Sequence, residues 1–342
     1  MTEIADNPST LKRVLICGLG SIGRRHARVI RNCFPEVELG VVRSGFGTQC
    51  PEQKFISEHF TDLHTALLWS PDAAVISSPA PYHQQQALVI ARAGIPLLIE
   101  KPIGVGNEPQ EAWDELSLLS DKIPILVGYV LRHDPCAEFI YQKTQAEYLG
   151  KVLEADFYCG SWLPEWRPNL TYRNSVSSCR SLGGGALLEL SHEIDLAQWF
   201  LGELDISFAA LIQSGMLNID VEDQAYLVGK SKNCPIFSIR LNFCSRPSRR
   251  NVVLRCANGE LMWNMLHGLV QCSTPNHEPI EVFESGLASK YHYETQMKHF
   301  FSCVHGAEKP LCSLADGIKT LNIVKRARLI SENKQPSIST IR

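Results

Sequence analysis

The amino-acid sequence predicts an α/β protein with two domains: a doubly wound parallel sheet in residues 1–128, and an α+β domain with a large, mostly antiparallel open sheet in residues 129–342. Three observations indicate this fold class. The chain has 342 residues, more than one domain usually holds. Short apolar runs alternate with helical patterns up to about residue 128. Beyond that point strand-like runs follow one another with few helices between them.

The first part contains five apolar runs rich in Val, Ile and Leu. They lie at residues 14–17, 37–42, 73–78, 95–100 and 124–129. The segments between them carry apolar residues at helical spacing, at 22–32, 62–70, 82–93 and 108–120. Because the runs are nearly continuous in apolar residues, they indicate strands that are buried on both faces of a parallel sheet.

The second part begins with a helical stretch at 134–148 and a strand at 151–159, then a loop rich in Trp, Pro and Arg at 161–182. One helix is predicted at 186–201. Six strand-like runs follow, at 206–213, 224–230, 235–243, 251–257, 260–266 and 269–273. The pair Asn258-Gly259 predicts a tight hairpin turn between two of them. Two further helices are predicted at 291–305 and 313–332, which completes an antiparallel sheet with helices packed on it.

Composition excludes several classes of protein. A net charge of -3 and a pI near 6.4 give no electrostatic reason to expect a nucleic acid or an acidic membrane as a partner. The first residues are polar and no apolar run approaches the roughly 20 residues of a membrane-spanning helix, so we expect a soluble, cytoplasmic protein. The 12 cysteines contain no C-x-x-C pair. We therefore expect buried free thiols and no metal site.

The stretch RVLICGLGSIGRRHARVI places Gly18, Gly20 and Gly23 in a G-x-G-x-x-G pattern between a strand and a helix. The first glycine allows a tight turn, the second lets a pyrophosphate approach the backbone, and the third lets the helix pack closely on the strand. The start of the helix offers free N–H groups to phosphates. In this context the pattern predicts a Rossmann-type dinucleotide site that includes Ser21 and Ile22, rather than a purely structural turn.

The end of the second strand indicates which dinucleotide is bound. An acid usually stands there and accepts hydrogen bonds from the ribose hydroxyls of NAD. This chain has Arg43 followed by Ser44. A guanidinium can bind a 2′-phosphate but offers no acceptor to two hydroxyls. The sequence therefore favours NADP over NAD, with the alternatives that Arg43 stacks on adenine or points to solvent.

Charged and polar residues follow two later strands at the same predicted edge. The run IPLLIE ends in Glu100 and Lys101 before a proline, and Ser78, Pro79 and His83 follow the preceding run. The carboxyl ends of parallel strands face the ligand crevice of such folds. We therefore expect these residues at the cofactor site, with the solvated strand end as the alternative for Glu100 and Lys101.

The segment LGGGALLELSHEIDLAQWF supplies candidate partners. Three glycines let the chain approach another group closely, and the predicted helix then presents Glu189, His192 and Asp195 on one face. A single histidine at a helix start is usually structural. An acid–His–acid face after a glycine turn, in a chain that also carries a dinucleotide motif, indicates function.

Four separated motifs, G-x-G-x-x-G, E-K-P, V-G-Y-x-x-R and G-G-G-x-L followed by H-x-x-D, occur in this order over almost the whole chain. This set resembles the Gfo/Idh/MocA oxidoreductase family, to which glucose–fructose oxidoreductase and inositol dehydrogenase belong. The resemblance implies a Rossmann domain, a C-terminal domain built on a large open sheet, and a homodimer or homotetramer formed through that sheet. It also implies that Lys101 and His192 lie beside nicotinamide and substrate, with Asp195 and Arg132 as substrate ligands.

The chain departs from the family pattern at Arg43, where many NAD-using members have an acidic residue, and at a position before the histidine. The family commonly has an Asp four residues before the histidine, where this chain has Leu188. Either Glu189 takes that role from a slightly rotated helix, or His192 has no orienting carboxylate.

The loop GSWLPEWRPNLTYR resembles a branch of the family associated with surface polysaccharides and unusual sugars. Within it, Trp166, Arg167, Tyr172 and Arg173 are candidate substrate ligands, since aromatic faces suit sugar rings and guanidinium groups suit phosphate or carboxylate; the alternative is an ordinary surface loop.

These residues predict an NADP- or NAD-dependent oxidoreductase that acts on a hydroxyl or keto carbon of a sugar, nucleotide sugars included. Hydride transfer requires a proton to enter or leave the alcohol oxygen, which Lys101 or His192 could move, with Glu189 as a third candidate catalytic residue. Lys101 could instead stabilise a developing alkoxide. Two alternatives stay open: an NAD-dependent glycoside hydrolase with transient oxidation, and a non-catalytic sensor on the same fold.

Overall fold

The computed structural model describes residues 11–45, 49–167, 171–275, 277–285 and 290–333. The chain divides into two compact units. The first consists of Met1–Val130 and Ser289–Gly317, and the second of Leu131–Ala288 and Ile318–Arg342. The sequence-based boundary after residue 128 did not predict that residues 289–317 belong to the first unit.

The first unit contains a parallel sheet with helices between its strands. Its elements up to residue 127 are β1 (Arg13–Cys17), α1 (Ser21–Cys33), β2 (Glu38–Val42), β3 (Glu58–Phe60), α2 (Leu63–Leu68), β4 (Ala73–Ile76), α3 (His83–Arg92), β5 (Leu97–Ile99), α4 (Gln110–Ser120) and β6 (Ile125–Val127). The strand order is β3-β2-β1-β4-β5-β6 and every described pairing is parallel. The predicted doubly wound sheet is confirmed. Strand β3 was not predicted, because its three residues, EHF, are too few and too polar to form an apolar run.

The strands of this sheet end at one level. Cys17 at the end of β1 pairs with Val42 of β2 and with Ile76 of β4. Ile76 pairs with Ile99 of β5, which pairs with Val127 of β6. The residues that follow these ends therefore share one edge of the sheet. Strands β4 and β5 are fully buried and β1 is buried except at Arg13, as the predicted apolar runs required.

The second unit contains the larger sheet. Its elements are α5 (Pro135–Gln145), β7 (Val152–Gly160), α6 (Ala186–Glu189), α7 (His192–Leu201), β8 (Leu204–Ile212), β9 (Gln224–Ser231), β10 (Cys234–Asn242), β11 (Arg249–Cys256), β12 (Gly259–Asn264), β13 (Leu269–Thr274) and β14 (His277–Glu284). The order is β14-β13-β12-β11-β7-β10-β9-β8. All described pairings are antiparallel except that of β7 with β10. The long connection between these two strands permits a parallel pairing. The predicted, mostly antiparallel sheet is confirmed.

The predicted hairpin at Asn258-Gly259 forms one residue earlier than expected. Cys256 of β11 pairs with Gly259 of β12, so that Ala257 and Asn258 form the loop. Gly259 belongs to the strand, where a Cβ atom would lie 2.2 Å from the carbonyl oxygen of Ser273. Close approach of the neighbouring strand therefore explains this glycine.

Helices α8 (Lys290–Val304) and α9 (Leu314–Asn333) are the last elements of the described residues. Helix α8 packs on α1 in the first unit, where the rings of Phe34 and Phe301 stack 4.2 Å apart. The following segment pairs with β6, since the N–H of Val127 donates to the carbonyl oxygen of Cys312. The pattern of apolar residues in a helix shows that it has a buried face, but not which domain covers that face.

Three composition-based expectations can be compared with the described residues. Every cysteine is a free thiol; seven are buried and five partly buried. Burial raises the pKa of the Cys17 thiol to about 12. No helix in the described ranges has the length and apolar character needed to cross a bilayer. Across the same residues, no three His, Cys, Asp or Glu side chains are grouped so that they could hold a metal ion.

Candidate active site

The glycine turn after β1 has two glycines that packing requires and one that it does not. Gly18 has a φ of +92°, and a Cβ there would lie 2.9 Å from the backbone of Ser78. A Cβ on Gly23 would lie 2.1 Å from the carbonyl oxygen of Gly18. Gly20 has an ordinary φ of -71°, and a Cβ there would meet no described atom within 4 Å. The missing side chain of Gly20 therefore leaves open space beside the start of α1.

The start of α1 faces this space with unused hydrogen-bond donors. Among the described residues, no side chain caps the helix and no acid stands in its first turn. The N–H groups of Ser21 and Ile22 and the positive end of the helix dipole therefore suit an anion. Below the turn, Ser77 Oγ donates to the carbonyl oxygen of Gly18 at 2.8 Å and holds it in place. The arrangement fits the pyrophosphate of a dinucleotide.

Arg43 lies next to this turn. The N–H of Gly18 donates to the carbonyl oxygen of Val42 at 2.9 Å, and the N–H of Arg43 donates to that of Phe60 at 3.0 Å. The end of β2 is thus fixed beside the glycines, with Arg43 partly buried and Ser44 exposed. The structure brings together the residues that the sequence proposed for the pyrophosphate and for the ribose end of the cofactor.

The carboxylate of Glu100 points into the protein. Its exposed fraction is 5%, its Oε1 atom lies 2.6 Å from Nε2 of His26, and its Oε2 atom accepts a hydrogen bond from the Lys101 N–H at 3.2 Å. Gly128 makes room for it, since a Cβ there would lie 3.0 Å from Oε2. Glu100 thus supports the Lys101 backbone, and its place at the cofactor site stays a prediction. Lys101 itself is partly buried at the sheet edge.

The buried imidazole of His83 also contacts the backbone. It is 1% exposed, with Nδ1 2.9 Å from the carbonyl oxygen of Pro102 and Nε2 2.7 Å from that of Ser78. Burial lowers the pKa of the His83 imidazole, although the two carbonyl groups act in the opposite direction. Both ring nitrogens lie within hydrogen-bond distance of backbone oxygens, so His83 links the segments that follow β4 and β5. Its contact with a cofactor stays a prediction. Ser78 donates from its Oγ to Gln86 at 2.7 Å, and Pro79 precedes a short 3-10 helix.

In the second unit, the glycines that precede α6 pack against a neighbouring loop. A Cβ on Gly184 would lie 2.4 Å from the carbonyl oxygen of Val176 and 2.7 Å from that of Ser177. Gly185 has a φ of +109°, its N–H donates to the same Ser177 oxygen at 3.0 Å, and a Cβ there would lie 2.3 Å from Glu222. The group that these glycines approach is therefore the loop at 161–182 together with Glu222.

Glu222 was not found from the sequence, although it holds the first turn of α6. Its Oε1 atom accepts a hydrogen bond from the N–H of Leu187 at 3.1 Å. Burial raises the pKa of the Glu222 carboxyl, against the lowering effect of these backbone hydrogen bonds and of Arg328 and Arg180. A single acid 35 residues from its partner leaves no periodic pattern that sequence analysis could detect.

The predicted helix at 186–201 is broken in the middle. Helix α6 ends at Glu189 and α7 begins at His192. Between them the N–H of Ser191 donates to Leu188 and that of Glu193 to Leu190, which are tighter i→i−3 bonds. The predicted continuous helix over 186–201 was therefore wrong, because Glu189 ends one helix and His192 begins the next. Both side chains are partly buried.

Asp195 is held by Arg132. Its two carboxylate oxygens accept from Nε at 3.0 Å and from Nη2 at 2.7 Å, and the two residues are 1% and 4% exposed. The guanidinium also lies 5.4 Å from the ring centre of Trp199. A second pair, Arg250 with the buried Glu193, fixes the same helix at 2.6 Å. Asp195 and Arg132, both predicted to bind substrate, thus anchor α7 to its surroundings.

The loop at 161–182 forms a small cleft in the second unit. Trp166, Arg167, Tyr172 and Ser177 are among the residues that line it. Trp166 is fixed by a hydrogen bond from Nε1 to Ser161 Oγ at 2.7 Å, and its ring meets that of Phe243 edge to face. Arg173 donates to the Tyr172 hydroxyl at 3.4 Å and does not line the cleft. Residues 168–170 of the predicted loop lie outside the described residues.

Two sequence models of one family match the chain. Residues 12–123 match that of the Gfo/Idh/MocA oxidoreductase family, described as an NAD-binding Rossmann fold. Residues 140–262 match that of the Gfo/Idh/MocA C-terminal domain. The first match lies in the first unit and the second match in the second unit.

Relatives and solved structures agree with these matches. Inositol 2-dehydrogenase 2 of Saccharopolyspora erythraea is 23% identical over 235 residues, which is 66% of this chain and 65% of that protein. Levoglucosan dehydrogenase in complex with NADH and levoglucosan superposes with a TM-score of 0.79 at 16% identity, over 94% of this chain and 97% of the other. The WlbA dehydrogenase of Bordetella pertussis, in complex with NADH and UDP-GlcNAcA, gives 0.78 at 16% identity, over 96% and 97%. At these identities the two structures establish a shared fold.

The three glycines of the first turn give a prediction that separates packing from ligand approach. Gly20→Ala should leave the melting temperature within a few degrees of wild type, because its Cβ meets no described atom. It should weaken NADH or NADPH binding by at least about tenfold, about 1.4 kcal/mol, because a methyl group then occupies the space beside the helix start. Gly23→Ala should cost about 1–3 kcal/mol of folding stability, since its Cβ would meet Gly18.

Thermal unfolding and a fluorescence titration with reduced dinucleotide measure both effects. The assignment of the space beside Gly20 to a dinucleotide fails if Gly20→Ala binds the cofactor as tightly as wild type.

Proposed function

The chain belongs to the Gfo/Idh/MocA oxidoreductase family, and from this membership we propose that it transfers a hydride between a nicotinamide dinucleotide and a hydroxyl or keto carbon of a sugar, nucleotide sugars included. The observation that carries the proposal is the end of β5, where a buried carboxylate supports Lys101 at the edge of the sheet that also bears the glycine turn. The names of the relatives and the structural neighbours, which are inositol, levoglucosan and nucleotide-sugar dehydrogenases, support a sugar as substrate.

The proposed chemistry requires the protein to move one proton. A bound nicotinamide would accept the hydride from the carbinol carbon, and the hydroxyl proton of the same carbon must leave at that step. We assign that proton to Lys101 or His192, whose side chains can accept and release it, with Lys101 as alkoxide stabiliser when it is an ammonium. In the reverse direction the same groups return the proton. Glu189 lies three residues before His192, at the end of the preceding helix, and is a weaker candidate for orienting it.

We propose NADP as the preferred cofactor. The support is the identity of Arg43 and its place beside the glycine turn, one residue after the β2 carbonyl that binds Gly18. A guanidinium there suits a 2′-phosphate. Ser44 follows it as an exposed hydroxyl that can donate a further hydrogen bond.

We propose the cleft of the 161–182 loop as the place where part of the substrate binds. Trp166 offers an aromatic face, Arg167 a guanidinium and Tyr172 a phenol around one small volume. Ser177 is 1% exposed, lines the same cleft, and its Oγ has no hydrogen-bond partner among the described residues. A buried hydroxyl without a partner suits a polar ligand group, since leaving it unpaired costs free energy.

A homodimer or homotetramer formed through the larger sheet is also proposed. Large side chains remain exposed on the sheet face opposite the helices, where the rings of Phe208 and Tyr226 meet edge to face 6.3 Å apart. On the same face the guanidinium of Arg240 lies 5.3 Å from the ring centre of Tyr158. Aromatic side chains and arginines are enriched at protein interfaces.

The activity is tested by incubating the protein with oxidised and reduced NAD and NADP and a panel of sugars and nucleotide sugars, while the absorbance of reduced nicotinamide is followed. Lys101→Met and His192→Asn should each reduce turnover by about 10²–10⁴-fold with cofactor affinity unchanged. The double variant should lose less than the product of the two, because both groups serve one proton transfer.

Normal turnover in both single variants would contradict the assigned roles. Loss of cofactor binding in Lys101→Met, with normal turnover at saturation, would make the lysine a cofactor ligand. Release of sugar from a glycoside without net reduction of the dinucleotide would identify the hydrolase alternative.

Arg43→Asp should shift the preference from NADP toward NAD. The new carboxylate accepts hydrogen bonds from ribose hydroxyls and repels a 2′-phosphate, so the ratio of the two Michaelis constants should change by at least about tenfold. Lys122→Asp makes the same change of charge at an exposed position of the same unit and serves as the control. A wild-type protein that prefers NAD, and loses NAD affinity in Arg43→Asp, would refute the proposal.

Replacement of Arg167 by Ala should raise the Michaelis constant for a substrate with a phosphate or carboxylate group by about tenfold or more, because a charge-assisted hydrogen bond is lost. Arg173→Ala, outside the cleft, should have a smaller effect, and Arg249→Ala, exposed on β11, should have none. Equal kinetics in Arg167→Ala and Arg249→Ala would show that the loop only packs against its neighbours.

A further inference from the structure

The geometry points to His26 as a positioning residue for Lys101. We propose that His26, a side chain of the dinucleotide helix α1, fixes the Glu100 carboxylate, and that this carboxylate fixes the backbone at Lys101. The inference rests on the proposed function for its kinetic consequences. It requires no direct contact of His26 with cofactor or substrate.

The contact between His26 and Glu100 is fully internal. His26 is 0% exposed and Glu100 5% exposed, and the distance from Nε2 to Oε1 is 2.6 Å. A hydrogen bond to a carboxylate in the protein interior is stronger than one between neutral groups. It joins the helix that follows the glycine turn to the end of β5, which is 74 residues distant in sequence. Tyr293 of α8 covers the imidazole edge to face, with the ring centres 6.0 Å apart.

The surroundings of the ring determine which atom carries the proton. Nδ1 of His26 is buried and has no hydrogen-bond partner among the described residues. A proton on Nδ1 would be a buried donor without an acceptor, which costs about 1–3 kcal/mol. Nε2, in contrast, faces the Glu100 carboxylate, so a proton on Nε2 has an acceptor. We therefore assign the contact as a hydrogen bond from Nε2–H of His26 to Oε1 of Glu100.

The Glu100 carboxylate in turn holds the backbone at Lys101. Its second oxygen, Oε2, accepts from the Lys101 N–H at 3.2 Å. Gly128, directly after β6, lies close to this carboxylate, since a Cβ there would lie 3.0 Å from Oε2. A rotation of the carboxylate would break at least one of its two hydrogen bonds.

The residue after Lys101 is held independently. The imidazole of His83 lies 2.9 Å from the carbonyl oxygen of Pro102 and 2.7 Å from that of Ser78. Both neighbours of Lys101 are therefore tied to buried histidines, one from α1 and one from α3. With the backbone fixed on each side, the direction in which the lysine side chain leaves the chain is set. A displacement of about 1 Å in a positioned catalytic group can cost about 10²-fold in rate.

His26→Leu tests the proposal, with His26→Gln as the conservative variant. Leucine fills a similar volume and cannot donate, whereas the glutamine amide nitrogen can take the position of Nε2. We expect kcat to fall about 10–100-fold in His26→Leu, with cofactor affinity within about twofold of wild type. His26→Gln should recover most of the loss. His64→Leu makes the same substitution at an exposed histidine of the same unit and should change nothing.

A kcat of His26→Leu equal to wild type would overturn the proposal. So would equal losses in the Leu and Gln variants, because a donor at the Nε2 position would then be irrelevant. Should His26→Leu fail to fold, Glu100→Gln replaces it. Glutamine has one acceptor oxygen in place of two, so it can accept from His26 Nε2 or from the Lys101 N–H but not from both. We therefore expect kcat to fall about 10-fold or more at unchanged cofactor affinity, and an unchanged kcat would again overturn the proposal.

A second measurement is independent of any substrate. The rate at which an amine-directed acylating reagent labels Lys101, relative to the exposed Lys122, is read by mass spectrometry of the peptides. We expect this relative rate to change by at least about threefold in His26→Leu, because a shifted backbone changes the surroundings of the Lys101 amine. In His26→Gln the rate should return to the wild-type value. An unchanged rate would overturn the inference even if the wild type oxidises sugars. A changed rate in a protein that oxidises none would refute the proposed function and leave the inference standing.

Discussion

Parallel pairing of β1 with both β2 and β4 is the constraint on which the dinucleotide-binding edge depends. Cys17 is in register with Val42 and Ile76, so three strands end together and the chain must turn at once. The hydrogen bonds continue one residue further, from Gly18 to Val42 and from Ser77 to Cys17. So little volume is left that Gly18 and Gly23 cannot carry a Cβ. The helix start, the open space at Gly20 and the position of Arg43 all follow from this register.

The same edge contains a carboxylate in the protein interior, which the fold tolerates because its hydrogen bonds are made. Burying an ionised carboxylate is costly unless donors replace water. Glu100 receives them from His26 and from the Lys101 N–H, while Gly128 supplies the space. A polar group that supports a neighbouring residue thereby remains at the end of an otherwise apolar strand.

In the second unit, buried ion pairs hold helix α7 in place. Arg132 binds Asp195 and Arg250 binds Glu193, and each carboxylate is almost wholly removed from solvent. Removal of one partner from such a pair would leave an unpaired buried charge, which costs about 3–5 kcal/mol. The start of α7 at His192 is therefore set by long-range electrostatic contacts as well as by the turn that interrupts the helix. The turn before α6 depends in the same way on Glu222 and on the loop carbonyls.

The sequence by itself determined both sheets, the glycine turn and the placement of Arg43 and Lys101 at strand ends, because strand burial and glycine spacing are local properties of the chain. It missed the break between Glu189 and His192, since apolar spacing at 186–201 is compatible with an unbroken helix. Only the tertiary structure showed that Asp195 faces Arg132 and that Glu100 faces His26. These contacts join residues 63 and 74 positions apart, and a hydrogen bond between distant segments leaves no periodic trace in either of them.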